Sequence, residues 1–204
     1  IFMTIVHKLF RKYFKNQYLR VFAGGLMLVL LNIVLKTTDY NGTGMNIIAK
    51  ALNGDAQPAA FLLKALFTAI TIGCGFRGGE IVPSFFVGAT FGCVAGGLMG
   101  MDPGFAAALG MVCFFCGVVN CPLTSLFLSI ELFGANGIMF FTIGCAVSYM
   151  LSGYYSLYNE QKIIYSKLRP HYVNLYTNQE IRTKEPGFLE GFLRIREDDA
   201  DDVE

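Results

Sequence analysis

Charged residues are scarce in this chain, and their scarcity excludes most soluble folds. Only 15% of its 204 residues are charged, whereas a soluble domain usually carries about 25%. No charge occurs between residues 21 and 35, and between residues 81 and 158 only Asp102 and Glu131 are charged. A soluble core cannot bury an uncharged run of that length, but a bilayer accepts helices of roughly 20 apolar residues. The sequence therefore predicts part of an all-α, polytopic membrane protein.

Histidine is also rare, and the cysteines lack partners, so neither a metal site nor another cofactor is predicted. His7 and His171 lie in polar flanks. Cys113-x-x-Cys116 has the spacing of a redox or zinc motif, but no second pair and no nearby histidine completes it. The six cysteines are therefore interpreted as small apolar packing residues. The net charge of +1 gives no indication of a nucleic acid partner.

Turn residues divide the apolar sequence into short runs. The predicted helical runs are residues 19–36, 44–53, 58–73, 83–99, 105–119, 123–133 and 138–153. Two of them, 105–119 and 123–133, are too short to cross about 30 Å of hydrocarbon as straight helices. Short or broken helices occur at membrane depth only where their ends are buried in protein or line a cavity. Such breaks are typical of the binding sites of transporters.

The most informative segment is a glycine-rich loop, which ends in the helix-start motif Gly78-Gly79-Glu80-Ile81-Val82-Pro83. Pro83 fits the first turn of a helix, where its missing N–H costs little. The glycines let the backbone turn sharply and leave N–H groups exposed. A helix N-terminus combines free N–H donors with the positive end of the helix dipole, so it can bind an anion without a cationic side chain. By spacing alone, an ordinary turn between two helices explains the motif equally well.

Three separate stretches resemble the CLC family of chloride channels and proton-coupled anion transporters. The helix-start motif and the following Gly88-Ala89-Thr90-Phe91-Gly92 resemble the family's G-G-x-F-x-P motif and the helix that it opens. The stretch from Asn120-Cys121-Pro122-Leu123-Thr124 to Glu131 resembles the family's A-P-L-T…E helix. Ser156-Leu157-Tyr158 resembles the segment with the family's central anion-site tyrosine. These motifs occur in the family's order, and the resemblance covers residues from about 19 to 168.

The resemblance implies a fold, a site and partners. Family members are homodimers in which each subunit has its own pore and two inverted repeats, and this chain resembles the second repeat, with short, broken and tilted helices. The backbone N–H groups of Glu80 and Ile81 would bind chloride or fluoride, and the Tyr158 hydroxyl would donate a hydrogen bond to the ion. The helices around 122–133 and 138–153 would contribute to the dimer interface. The serine loop and the gating glutamate of the first repeat are not in this sequence, so the missing first repeat is an expected partner.

Glu80 and Val82 are the residues that bear on selectivity. Common chloride-type members have an apolar residue in place of Glu80, whereas the fluoride-exporting branch resembles this sequence in having glutamate there. A protonated glutamate could donate a hydrogen bond to fluoride, and intramembrane carboxylates are usually functional. That branch has threonine where Val82 stands, so the likeness is incomplete. The alternatives are an ion pair with Arg77 for Glu80, and a role as interfacial anchor for Tyr158.

The predicted function is anion transport across the membrane, coupled to protons and with fluoride ahead of chloride. One alternative is a passive, voltage-gated chloride channel of the same family, and another is a structural multi-helix membrane protein. No enzyme is predicted, because the only intramembrane acid candidates are Glu80 and Glu131, which are far apart in sequence with no histidine between them.

The chain is divided by its charges into three parts. Residues 1–18 are interpreted as the end of a preceding segment and a basic cytoplasmic loop. Residues 19–168 form the second repeat of the membrane domain, and residues 169–204 form a polar cytoplasmic tail. The basic residues of both flanks set this orientation by the positive-inside rule. A bacterial plasma membrane is the expected location.

Two further expectations concern packing inside the membrane domain. Lys64 is expected to extend its ammonium to the membrane interface. Gly88, Gly92, Gly96 and Gly100 recur at every fourth position. On a helix they would form a smooth strip for close contact with another helix.

Overall fold

Eight α-helices and one small sheet make up the part of the chain that the structure describes. The computed structural model describes residues 2–158, 160–167 and 172–177. The elements are α1 (Phe2–Tyr13), α2 (Gln17–Leu35), α3 (Met45–Leu52), α4 (Ala60–Gly73), α5 (Ile81–Leu98), α6 (Pro103–Val119), α7 (Pro122–Phe133), α8 (Ile138–Leu151), β1 (Lys162–Tyr165) and β2 (Tyr172–Tyr176). The predicted all-α class is confirmed, and each predicted helical run coincides with one helix to within two residues at either end.

The breaks between the later helices follow from local sequence. Asp102 is the N-cap of α6 and accepts a hydrogen bond from the Phe105 N–H (2.7 Å), while Pro103 occupies the first helical position. Asn120 ends α6 in the left-handed conformation with φ at 59°, and Pro122 opens α7. Asparagine tolerates this conformation better than most residues do. The interruption predicted after α6 is therefore confirmed.

The closest packing in the described structure joins α5 to α6. A Cβ on Gly92 would lie 2.3 Å from the Ala106 carbonyl oxygen, and one on Gly96 would lie 2.1 Å from the Ala106 Cβ. A Cβ on Gly88 would also meet a backbone carbonyl of α6, at 2.7 Å. The expected glycine strip is thus confirmed for these three residues. Gly100 does not belong to it, because it follows the end of α5 with φ at +74° and faces open space.

Two of the described helices, α2 and α5, are long and apolar enough to cross a membrane. Only 6% of the apolar window of α2 is buried, against 39% of that of α5. Large apolar side chains of α2 face outward, among them Phe22, Ile33 and Val34. An apolar surface of this kind is typical of a membrane contact. α5 instead lies among other helices, where its glycines allow close approach.

The basic start of the chain is largely helical rather than a loop. α1 covers most of residues 1–18 and packs against α4. Its apolar and basic residues lie on separate faces, so it can bury one face and expose the other. The boundary predicted at residue 18 falls within the first turn of α2.

Lys64 does not extend to an interface, contrary to expectation. It is 1% exposed and donates hydrogen bonds to the carbonyl oxygens of Tyr40 (3.0 Å) and Gly42 (2.6 Å). Its ammonium also lies 5.1 Å from the centroid of the Phe86 ring. Two carbonyl dipoles and an aromatic face stabilise a cation that would otherwise be costly to bury.

A β-hairpin that the sequence did not predict follows α8. β1 and β2 pair in antiparallel fashion. Thr177 donates from its N–H to the Gln161 carbonyl oxygen (2.9 Å) and from its hydroxyl to the Tyr158 carbonyl oxygen (2.5 Å). These bonds fix the segment between α8 and the hairpin. Most of the predicted cytoplasmic tail at 169–204, including His171, lies outside the described residues.

Candidate anion site

The glycine-rich loop joins α4 to α5 and turns at one particular glycine. Gly75 has φ at +101°, in the left-handed region. Gly78 and Gly79 do not have positive φ, so of the glycines in this loop it is Gly75 that makes the turn. Both are exposed, and a Cβ on either would meet nothing within 4 Å. The space beside these two positions, just ahead of α5, is therefore open.

The N-terminus of α5 presents unused backbone donors. The N–H of Ser84 donates to the Glu80 carbonyl oxygen (3.1 Å), so the N–H groups of Ile81 and Val82 lie ahead of the first bond of the helix. Pro83 has no N–H, and it lies in the first turn as predicted. Glu80 is the N-cap residue, and its side chain makes no capping hydrogen bond. The helix dipole adds positive potential at the same place.

A cavity of about 1500 Å³ lies beside this helix start. α1, α4, α5, α6 and α8 contribute to its wall, as does the segment after α8. Among the lining residues are His7, Thr68, Glu80, Pro83, Ser84, Val87, Ser148, Ser152, Tyr155, Ser156 and Leu157. The first turn of α5 and the segment before Tyr158 therefore face one common space. Its volume exceeds the roughly 300–1,000 Å³ that is usual for small-molecule pockets.

Tyr158 lies at the edge of this arrangement rather than on the cavity wall. Its side chain is 48% exposed, and its N–H donates to the Ser156 hydroxyl (3.2 Å). Leu157, which does line the cavity, donates from its N–H to the Val118 carbonyl oxygen at the end of α6 (3.1 Å). The structure thus brings the segment that carries Tyr158 to the cavity, but it does not place the hydroxyl there. The role of Tyr158 stays a prediction.

Serine hydroxyls on the cavity wall were not predicted. Ser84 donates to the Ile81 carbonyl oxygen (2.5 Å), Ser148 to that of Cys113 (2.6 Å) and Ser152 to that of Tyr149 (2.8 Å). Ser148 lies in the last turns of the largely apolar α8 and Ser152 is its C-cap, four residues further on; this spacing is the signal that could have indicated them.

The groups at the cavity wall are therefore backbone N–H groups, hydroxyls, the His7 imidazole and the carboxyl groups of Glu80 and Glu160. Within residues 2–158, 160–167 and 172–177, no three His, Cys, Asp or Glu side chains are arranged to hold a metal ion. Arg77 is exposed at the loop surface, and Glu80 is partly buried. A small anion fits the donors at the start of α5 better than a cation does.

The fold and the site together define a class of protein. It is a helical membrane protein in which a helix N-terminus suited to binding an anion faces a cavity. The family model described as voltage gated chloride channel matches residues 1–153. The chain belongs to that family, whose members are integral membrane proteins. The resemblance to the CLC family is thereby confirmed.

Individual relatives carry names of both chloride and fluoride proteins. The chain is 33% identical over 176 residues to the "Chloride/fluoride channel protein" of Pseudomonas syringae pv. tomato, a match that covers 82% of this chain and 39% of the relative. It is 26% identical over 143 residues to the "H(+)/Cl(-) exchange transporter ClcA" of Vibrio vulnificus, covering 64% of this chain and 31% of that protein. The crystal structure of a CLC-type fluoride/proton antiporter superposes with a TM-score of 0.73 at 34% identity, covering 77% of this chain and 40% of the other. The chain thus spans about two fifths or less of the length of these proteins.

Proposed function

We propose that this chain supplies one half of the pathway of a proton-coupled anion transporter, with fluoride as the favoured anion and chloride second. The observation that carries this proposal is the start of α5, where uncapped N–H groups and Glu80 meet the wall of a large cavity. Backbone donors and a helix dipole hold an anion without the full charge of a lysine or arginine, so the ion can also leave.

Each site residue has a distinct role in this proposal. The backbone N–H groups of Glu80 and Ile81 bind the anion at the first turn of α5. Gly78 and Gly79 leave room for its approach, since a Cβ there would stand in the space next to the loop. Tyr158 donates its hydroxyl to the ion, which requires a side-chain position other than the half-exposed one observed.

Glu80 and Val82 bear on the choice between fluoride and chloride. A carboxylate beside a bound halide is unfavourable, but its protonated form can donate a hydrogen bond, and fluoride is the strongest acceptor among the halides. Proton binding at Glu80 would then be linked to fluoride binding. Val82 supplies no hydroxyl, so the selectivity in this proposal depends on Glu80. The name of one relative mentions fluoride beside chloride and the similar crystal structure is that of a fluoride/proton antiporter, which supports fluoride as a transported anion.

The assembly that we infer is a homodimer in a bacterial plasma membrane, with the missing first repeat completing each pathway. α7 and α8 are the proposed dimer surface, because they expose large apolar side chains such as Phe127, Met139 and Ile143. The basic N-terminal residues and the tail at 169–204 lie on the cytoplasmic side.

The test is ion flux from liposomes that contain the full-length protein with this chain. Liposomes are loaded in turn with fluoride and with chloride, and internal pH is followed in parallel. Fluoride efflux that exceeds chloride efflux and moves protons is the expected result. Chloride flux without proton movement would instead identify a passive channel.

The matched variants are Glu80→Ala and Glu131→Ala. Both remove one carboxyl group from the membrane domain, but Glu131 is exposed on α7 and does not line the cavity. Glu80→Ala is expected to lower the fluoride-to-chloride ratio, whereas Glu131→Ala leaves it unchanged. If the ratio is the same in both variants, Glu80 has no part in selectivity.

A further inference from the structure

A polar cluster joins the C-terminal ends of α6 and α8. The Lys167 ammonium donates hydrogen bonds to the Asn120 side-chain oxygen and to the Ser152 hydroxyl, the latter at 2.7 Å. It also lies 4.3 Å from the centroid of the Tyr149 ring. Asn120 is the residue that ends α6, and Ser152 is the residue that ends α8. One lysine, more than a dozen residues beyond α8, therefore contacts the ends of both helices.

The same cluster holds the chain that leads to Tyr158. The Asn120 amide donates to the Tyr155 carbonyl oxygen (2.7 Å). Two residues on, the Leu157 N–H donates to the Val118 carbonyl oxygen in the last turn of α6 (3.1 Å). Both bonds attach the segment 155–158 to the end of α6, and residues 155–157 line the cavity. The position of Asn120 thus determines where this part of the cavity wall lies.

Electrostatics explains why a cation is suited to this place. The C-terminal end of a helix carries the negative end of its dipole, and here two such ends meet. The two oxygen partners of Lys167 are uncharged, so the ammonium is balanced by these dipoles and by the Tyr149 ring. Burial lowers the pKa of Lys167 to about 8, which leaves the amine mostly protonated at neutral pH.

We propose that Lys167 is a positioning residue for the anion pathway, holding the ends of α6 and α8 together so that residues 155–157 stay at the cavity wall. This inference rests on the proposed function. Lys167 touches neither the anion nor the start of α5, and it acts through Asn120 and Ser152.

The test compares three variants of the full-length protein in liposomes. Lys167→Met removes the charge and the donors, Lys167→Arg keeps both, and Lys162→Met is the matched control. Lys162 also lies over a tyrosine ring, that of Tyr176 at 4.7 Å, but it is exposed on β1. Lys167→Met is expected to raise the apparent KM for fluoride by about fivefold, the equivalent of roughly one net hydrogen bond, while the maximal rate changes less. Lys167→Arg restores most of the affinity, and Lys162→Met retains all of it.

A second measurement reports the position of the segment without depending on transport. Hydrogen–deuterium exchange at the Leu157 amide is expected to be faster in Lys167→Met than in Lys162→Met, because its bond to Val118 is loosened. Faster exchange with an unchanged KM would make Lys167 a purely structural residue and overturn the inference, as would unchanged exchange. Absence of anion flux from the wild-type protein would instead refute the proposed function itself.

If Lys167→Met does not fold, Ser152→Ala takes its place. This variant removes one of the two oxygen partners of the ammonium and keeps the charge. A KM raised in the same direction by a smaller factor, with faster exchange at Leu157, supports the positioning role. Wild-type values for both quantities would contradict it.

Discussion

Replacing Gly92 by alanine tests the closest contact in the fold. A Cβ at this position would lie 2.3 Å from the Ala106 carbonyl oxygen and 3.0 Å from the Gly110 Cα. Both atoms belong to the backbone of α6, so no side-chain rotation can relieve the overlap. The two helices must separate, and the contacts along their interface weaken together.

The expected change in the free energy of unfolding is the difference of two opposing effects. Overpacking of a well-packed interior typically destabilises a protein by about 1–3 kcal/mol. Alanine is a better helix former than glycine by roughly 0.5–1 kcal/mol, which offsets part of that loss. Because the obstructing atoms belong to the backbone, the destabilisation caused by the overlap is expected near the upper end of that range. The expected net loss in the free energy of unfolding is about 1–2 kcal/mol.

Gly97→Ala is the matched control on the same helix. Gly97 is exposed, and a Cβ there would have its nearest neighbour, the Pro103 Cγ, at 4.0 Å. Only the gain in helix propensity remains, so this variant is expected to be neutral or more stable by up to about 1 kcal/mol. The two substitutions differ in how close the added Cβ lies to α6.

The assay is equilibrium unfolding of the full-length protein in mixed micelles with increasing SDS, followed by far-UV circular dichroism. The prediction is that the midpoint of Gly92→Ala lies below that of the wild type, and that of Gly97→Ala at or above it. Equal midpoints for the two variants would refute the close packing of α5 on α6.

Two further substitutions separate a site residue from a structural one. Tyr158→Phe is expected to weaken anion binding by roughly 1 kcal/mol, the usual net contribution of one hydrogen bond; unchanged affinity by calorimetry would remove Tyr158 from the site. Lys64→Met is expected to destabilise the fold by about 1–3 kcal/mol, because the carbonyl oxygen of the buried Tyr40 loses its donor, as does that of Gly42. Lys64→Arg is the comparison, and a melting temperature for Lys64→Met equal to the wild type would contradict the role of these bonds.

The helices were predictable because local chemistry determines their ends. The start of α6 is set by Asp102 and Pro103, and the break between α6 and α7 by Asn120 and Pro122. These residues act through their own backbone conformations and local hydrogen bonds. These preferences hold in water and in a membrane alike. The same applies to Pro83 at the start of α5, the centre of the candidate site.

The features that sequence reasoning missed depend on partners distant in the chain. The hairpin after α8 includes only short strands, and its contact with Tyr158 comes from Thr177. Lys64 is buried because the loop that contains Tyr40 and Gly42 folds back over α4. No pattern around Lys64 distinguishes such a buried cation from one that reaches an interface. Tertiary contacts determine both the hairpin and the burial of Lys64.

Glu80 stands at the N-cap of α5, yet its carboxyl group does not cap the helix. Serine, threonine, aspartate and asparagine are preferred at N-caps because a short side chain reaches the N–H of the second or third helical residue. Here the third residue is Pro83, which has no N–H, so Val82 offers the only such donor. An aspartate at position 80 would reach that donor and occupy it. Glutamate is one methylene longer and leaves it free while still facing the cavity. Free donors beside a titratable carboxyl group are what the proposed exchange of anion for proton requires at this helix start.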